Sequence, residues 1–259
     1  METPVTADLS RRALLGGLLA APTILSGCKL FDGLSAVDHP VRDFMEGTNR
    51  LTHGTQKLLA GDALAPEYAR ADIRQGMRPN GTTQPQDADY QAFAANGFAD
   101  WRLTVSGLVE RPLSLSLSDL MAMPSRTQIT RHDCVEGWSC IAEWTGVPLS
   151  HVLGLAGLQP EGRFVYFRSM DTMERSLAGS VKYWESHDLR DSLHPQTILA
   201  YGMNGEALPV RNGAPLRLRV ERQLGYKMAK YLSAIEVVPA LADKGGYWEE
   251  KGYDWYAGI

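Results

Sequence analysis

A chain of 259 residues can bury a full hydrophobic core, and 44% apolar with 22% charged residues rules out wholesale disorder. Its formal charge of −4 argues against a nucleic-acid binder, which carries a basic surplus. Three cysteines are too few for a disulfide scaffold.

The amino terminus reads as export, not structure. Arg11-Arg12 precede an apolar run over residues 13–25, too short to span a bilayer as a helix. Ser10-Arg-Arg-Ala-Leu-Leu15 resembles a twin-arginine signal, a route for proteins already folded around cofactors, and Leu25-Ser-Gly-Cys28 resembles a lipobox. Residues 1–27 are therefore expected to be a twin-arginine lipoprotein signal, with a lipid anchor at Cys28. An ordinary signal with an incidental cysteine is the alternative. The expected location is the periplasm or the outer face of the cytoplasmic membrane.

Residues 28–75 read as a linker and then a helical segment. Over 43–59, Phe44, Met45, Leu51, Leu58 and Leu59 form a patchy stripe that Gly47 and Gly54 weaken. Residues 76–89 are rich in Gly, Pro and Thr and read as loop, with a turn at Asn80-Gly81. From Trp101 the pattern turns to strands. Trp101, Leu103 and Val105 alternate with polar neighbours up to Gly107, and Leu113, Leu115 and Leu117 alternate with serines. Ser118 is the expected N-cap of a short helix over 119–123, closed by Pro124. A third strand over 127–133 delivers Cys134 to a loop. Pro148 suits the first position of a helix running to Ala156, with Gly157 at its end. Short strands follow at 164–168 and 181–184, and Asn204-Gly205 joins 198–201 to 207–210 as a hairpin. Leu216, Leu218 and Val220 bury one face of a strand whose other face carries Arg217 and Arg219, and 231–238 is the last strand. Many strands, few helices and no βαβ alternation give a sheet-dominated α+β domain over 76–243, followed by an aromatic tail over 244–259.

Cys134 lies in Arg131-His-Asp-Cys-Val-Glu-Gly-Trp-Ser-Cys140. It is legible as a structural thiol, as half of a disulfide with Cys140, as a nucleophile or as a metal ligand. His132 cannot serve as its base in an extended segment, because residues i and i+2 sit roughly 6–7 Å apart. The six histidines form no i,i+4 pair and no CxxC is present, so structural zinc and c-type haem are not indicated. Neither is a nicotinamide or nucleotide site, for want of a Gly-x-Gly-x-x-Gly or a Walker loop. A second concentration of chemistry lies at 211–230, where Arg211, Arg217, Arg219, Arg222, Lys227 and Lys230 meet Glu221 alone. This is a solvated strand face or an anion cradle.

Taken in order, Cys134-x-Glu-x-Trp, Trp144-x-Gly-x-x-Leu-x-x-Val-Leu-x-x-Ala-Gly157, His194-Pro, Asn204-Gly, Asn212-Gly-Ala-Pro-Leu-Arg217 and Gly225-Tyr-Lys resemble the sulfite-oxidase-type molybdopterin oxidoreductases over residues 76–240. Within them the chain looks closest to the bacterial periplasmic branch containing the protein-methionine-sulfoxide reductase catalytic subunit, through Cys-Val-Glu-x-Trp-Ser. The resemblance implies a sulfite-oxidase-like molybdopterin-binding fold and a molybdenum-molybdopterin cofactor, with Cys134 as the metal's protein ligand. It places Arg131, Glu136 and Trp138 about the metal's open side, Glu136 relaying protons and Arg131 polarising bound oxygen. It assigns Asn80, Ser169, Asn212, Arg217, Met228, Ala229 and Lys230 to cofactor binding.

Sulfite oxidases carry arginines shortly after the cysteine; here Ser139 and Cys140 stand there, which argues against sulfite. The expected activity is oxygen-atom transfer, as reduction of an S-oxide or N-oxide, small or protein-bound, with electrons from a membrane haem protein. The alternatives are a non-enzymatic anion- or cofactor-binding lipoprotein, a thiol hydrolase and a sulfite-oxidising enzyme.

Overall fold

The computed structural model describes residues 40–74, 76–177 and 179–259, so the expected signal and Cys28 lie outside the described residues. Helix α1 (Pro40–Ala60) covers the expected helical segment, with proline in its first turn where no amide hydrogen bond is lost. Its residues up to Leu58 belong to one compact unit, and residues 59–259 form a second.

This second unit is built on two sheets. The first has the order β2-β1-β10-β5-β6, from β1 (Arg102–Gly107), β2 (Leu113–Ser116), β5 (Phe164–Ser176), β6 (Gly179–Asp188) and β10 (Leu232–Val238). Its one parallel pair is β1 with β10. The second runs β3-β4-β7-β8, with β9 also on β7. It uses β3 (Arg126–Cys134), β4 (Trp138–Pro148), β7 (Ile198–Met203), β8 (Glu206–Ala207) and β9 (Arg217–Arg219). Short helices α2 (Ala88–Ala95), α3 (Leu117–Ala122), α4 (Leu149–Ala156) and α5 (Leu189–Ser192) connect them.

Strand alternation explains how the core is shared. On β7, Leu199 joins the main core with Leu103, Phe167, Val152 and Leu218, while Ile198 and Ala200 point to a smaller core around Trp144 and Leu208. A strand buried on both faces loses its polar alternation, as Ile198-Leu-Ala does. Asn204 (φ 54) and Gly205 (φ 82) take the left-handed turn that the hairpin β7–β8 requires.

Several expectations are corrected. The helix after β2 starts earlier, capped by Ser116 and not Ser118. Asp119 N–H donates to Ser116 Oγ at 3.0 Å while Ser116 N–H donates to the Asp119 carboxylate at 2.8 Å. Ser118 has Met121 three positions on and cannot make that box. The loop after Cys134 is only a three-residue turn over 135–137, and an eleven-residue strand that the sequence reading did not mark follows it. Residues 61–74, expected as linker and helix, run along the second sheet. Tyr68 N–H donates to Ile129 O and Arg74 N–H to Ile141 O. The tail over 244–259 is likewise built in, with bridges Glu185–Gly246 and Gln223–Gly258.

Candidate active site

Cys134 ends β3 and opens a tight turn. Val135, Glu136 and Gly137 carry the chain to Trp138, its cross-strand partner. Gly137 holds φ 84 and donates its amide to Cys134 O at 3.0 Å, a three-residue hairpin loop that favours glycine at the left-handed position. The thiol therefore projects from a braced hairpin end. It shares the buried face of β3 with Gln128, Thr130 and His132.

The same alternation sends Arg131 the other way. Its guanidinium lies half exposed, 2.9 Å from the Asp133 carboxylate, so the structure does not bring Arg131 to the thiol. Cys140, opposite His132, is two pairs along from Cys134, and both cysteines are free. Such diagonal positions lie about 7–8 Å apart, beyond ordinary disulfide reach.

The thiol opens into a cleft of about 150 Å³. Its lining combines polar Asn80, Thr82, Asp171 and Lys230 with the rings and thioethers of Met173, Tyr226, Met228, Trp248 and Tyr253. Glu136 stands at its edge and accepts from Trp138 Nε1 at 3.0 Å. Asn80 Nδ2 points at Cys134 Sγ from 4.0 Å. Burial pushes the Cys134 thiol up, against the pull of the Glu136 amide, Arg78 and Asn80. His132 is turned away: Arg219 Nη1 donates to its Nδ1 at 2.8 Å. Burial, then Arg219, Arg217 and Lys230, hold that imidazole well below its usual range and hence neutral. A protonated thiol without a hydrogen-bonded base is a poor hydrolase nucleophile.

Five of the six cations of the basic tract are buried, so it is not a solvated face, and three of them are already neutralised. Arg219 pairs with Glu221, Arg222 with Asp191 at 2.7 Å, and Lys227 with Glu185 and Glu249. Arg211 is exposed. Arg217 and Lys230 remain without an ion pair among the described residues. Arg217 is 1% exposed, stacks 4.8 Å over the Trp144 ring and donates to Asn212 O at 2.9 Å, with its buried Nε unpartnered. Burial and Arg219 push it down to about 9. Lys230 donates to the carbonyls of Asn80 and Thr82, and burial with Arg217 pushes it down to about 7. Gly213 permits their stacking, since a Cβ there would lie 2.9 Å from the Lys230 side chain and 3.2 Å from Arg217 Cβ.

Of the remaining expected residues, Met228 lines the cleft, Ala229 is buried with its carbonyl accepting from Leu218 N–H, and Asn212 contributes its carbonyl to Arg217. Ser169 is buried with Oγ unpartnered, on the wall of a different hollow of about 640 Å³ beside Arg102 and Lys182. The cleft also takes Thr82, Asp171 and Met173, which were not among the individually expected site residues. Thr82 lies in a loop without periodicity, and the others follow bulges in β5 that break the strand pattern.

The profile of the oxidoreductase molybdopterin-binding domain matches residues 91–248, more than half of the chain. The chain belongs to this family. Among similar proteins, the putative protein-methionine-sulfoxide reductase subunit YedZ1 of Azospira oryzae is 36% identical over 256 residues, 97% of this chain and 87% of that protein. The protein-methionine-sulfoxide reductase catalytic subunit MsrP of Campylobacter jejuni is 35% identical over 144 residues, 53% of this chain and 48% of that one. The match thus spans about half the length of the MsrP relative. The sulfane dehydrogenase SoxCD of Paracoccus pantotrophus shares the fold, with TM-score 0.50 and 23% identity over 70% of this chain and 46% of that chain.

As a molybdopterin oxidoreductase, the chain is an enzyme with a sheet-rich sulfite-oxidase-like fold. Its residues fit the cofactor. A phosphate supplies the counter-ion that buried Arg217 and Lys230 lack, and a metal cation draws the proton from a thiol.

Proposed function

We propose that this protein is an exported molybdenum enzyme that reduces S-oxides by oxygen-atom transfer, the thioether oxide of methionine being the substrate class. The observation that carries it is the pairing of the Cys134 thiol with a cleft whose neighbouring cations, Arg217 and Lys230, form no ion pair within 4 Å among the described residues. Cys134 would hold the metal, and Arg217 and Lys230 the cofactor's phosphate, with Asn80 between the two ends. The cofactor, when bound, supplies the two-electron chemistry. Reduction of a sulfoxide consumes two electrons and two protons and releases a sulfide and water.

The chain's own residues manage protons and position. Glu136, at the cleft edge with Trp138 Nε1 on its carboxylate, is suited to deliver protons to the departing oxygen, an effect of about 10²–10⁴-fold for a placed acid. Asn80 and Lys230 supply polar groups to the cleft lining. The positions where sulfite oxidases carry arginines offer no cation: Ser139 donates to Asp133, and Cys140 lies in the smaller core with Trp144. This favours a neutral oxide over the sulfite anion. Twin-arginine export, lipid attachment at Cys28 and electrons from a membrane haem protein complete the reading.

The test is metal analysis of protein from a cofactor-competent host, with oxidation of reduced viologen by methionine sulfoxide, dimethyl sulfoxide and trimethylamine N-oxide. Bound molybdenum and S-oxide turnover, both lost on Cys134→Ala, are expected. Only traces of molybdenum, or turnover that survives Cys134→Ala, would overturn it.

A further inference from the structure

We infer that Trp248 and Tyr253, on the C-terminal segment, form the wall that recognises the apolar stem of the substrate. This rests on the S-oxide reading and specifies which residues select the oxide. The cleft lining is mixed: Asn80, Asp171 and Lys230 are polar, while Trp248, Tyr253, Tyr226, Met173 and Met228 present rings and thioethers. The rings form one packed unit. Trp248 and Tyr253 have centroids 5.2 Å apart, Tyr253 meets Tyr226 edge-on at 5.3 Å, and Tyr247 anchors Trp248 from behind at 5.2 Å.

Aromatic faces and thioethers attract a polarisable S–CH₃ group and an unbranched aliphatic stem, and offer little to a compact polar oxide. The cleft lining itself carries apolar surface out to solvent, with Tyr253 40% exposed and Val135, on the Cys134 turn, 46% exposed. A longer side chain entering between them stays in contact with apolar atoms along its length, which a two-methyl oxide cannot do.

The wall is held rigidly, as selection requires. Tyr253 N–H donates to Trp248 O at 3.1 Å, and Tyr226 Oη donates to Asp254 O at 2.6 Å. Glu249, next to Trp248 in sequence, reaches buried Lys227 at 2.6 Å, and that ammonium also binds Glu185 of β6. Glu249 is thus a positioning residue that pins the segment to the sheet carrying Asp171 and Met173.

The experiment compares the holoenzyme with Trp248→Ala, Tyr253→Ala and the conservative Trp248→Phe. KM and kcat are read for N-acetylmethionine sulfoxide and for dimethyl sulfoxide, with binding of the unreactive N-acetylmethionine sulfone by calorimetry. The expected result is a rise of about tenfold in KM and in the sulfone's Kd on Trp248→Ala, little change for dimethyl sulfoxide, unchanged molybdenum content and recovery in Trp248→Phe. Equal effects on both oxides, or an unchanged sulfone Kd, overturn the assignment. If the parent reduces no S-oxide, the functional reading falls separately. Calorimetry then still decides the wall, because equal sulfone affinity of parent and Trp248→Ala overturns it.

Discussion

Replacing Lys227 with methionine removes one ammonium from between two buried carboxylates at nearly constant volume. Lys227, Glu185 and Glu249 have side chains 0%, 0% and 1% exposed, so no solvent replaces the lost charge. Each carboxylate already has one oxygen without a partner, which leaves Lys227 as their common stabiliser. Breaking a buried pair by removing one member costs about 3–5 kcal/mol, which for a domain of this size lowers Tm by about 6–20 °C.

The loss should depend on pH in a defined direction. Burial, only partly offset by Lys227, raises Glu185 to about 8 from its ordinary 4.5. The folded state then holds the extra proton, so this stabilisation is present below the unfolded value and fades as pH rises through about 8. Without Lys227 the Glu185 carboxyl moves further up, and the variant should lose more stability near pH 8 than near pH 5. Thermal unfolding followed by near-ultraviolet dichroism, at matched molybdenum loading, reads both effects. A loss below about 1 kcal/mol, or a larger loss in acid than in base, would refute the reasoning. Adding Glu185→Gln and Glu249→Gln to Lys227→Met should restore most of the stability.

Three further outcomes are expected. Arg217→Met removes a buried cation without a carboxylate, so the cofactor-free protein should keep or gain stability while cofactor affinity falls about 10–100-fold, read by unfolding and by titration with purified cofactor. Lys230, pushed down to about 7, must regain its proton to hold a phosphate. Cofactor affinity should therefore strengthen as pH falls through about 7 with uptake of a proton, and Lys230→Met should abolish that dependence in calorimetry run in two buffers. Gly225→Ala would set a Cβ 2.4 Å from the His132 ring and 3.3 Å from Asp133 O, and should cost about 1–3 kcal/mol in denaturant unfolding while lowering molybdenum retention. Unchanged stability in that variant would show that the β3 hairpin yields freely.

What the sequence determined is what local rules can carry. Period-two alternation located β1 and β2, Pro148 and Gly157 bounded α4, and Asn204-Gly205 marked its hairpin, because each signal acts through neighbours in the chain. The Cys134 motif and the basic tract were equally visible, since both are clusters in sequence. Tertiary structure decided what those clusters mean. Arg131 lies three residues from Cys134 yet on the other face of β3, because strand side chains alternate. Three of the six cations of the tract are cancelled, Arg219 by the nearby Glu221 and Arg222 and Lys227 by acids 22 to 42 positions away, and exposed Arg211 is left to solvent. Arg217 and Lys230 are the buried members of the tract that form no ion pair among the described residues. Trp248 and Tyr253 read as a tail in the chain, and become a wall of the cleft because Lys227 ties Glu249 to β6. Charge pairing and burial depend on distance in space, which no one-dimensional pattern encodes.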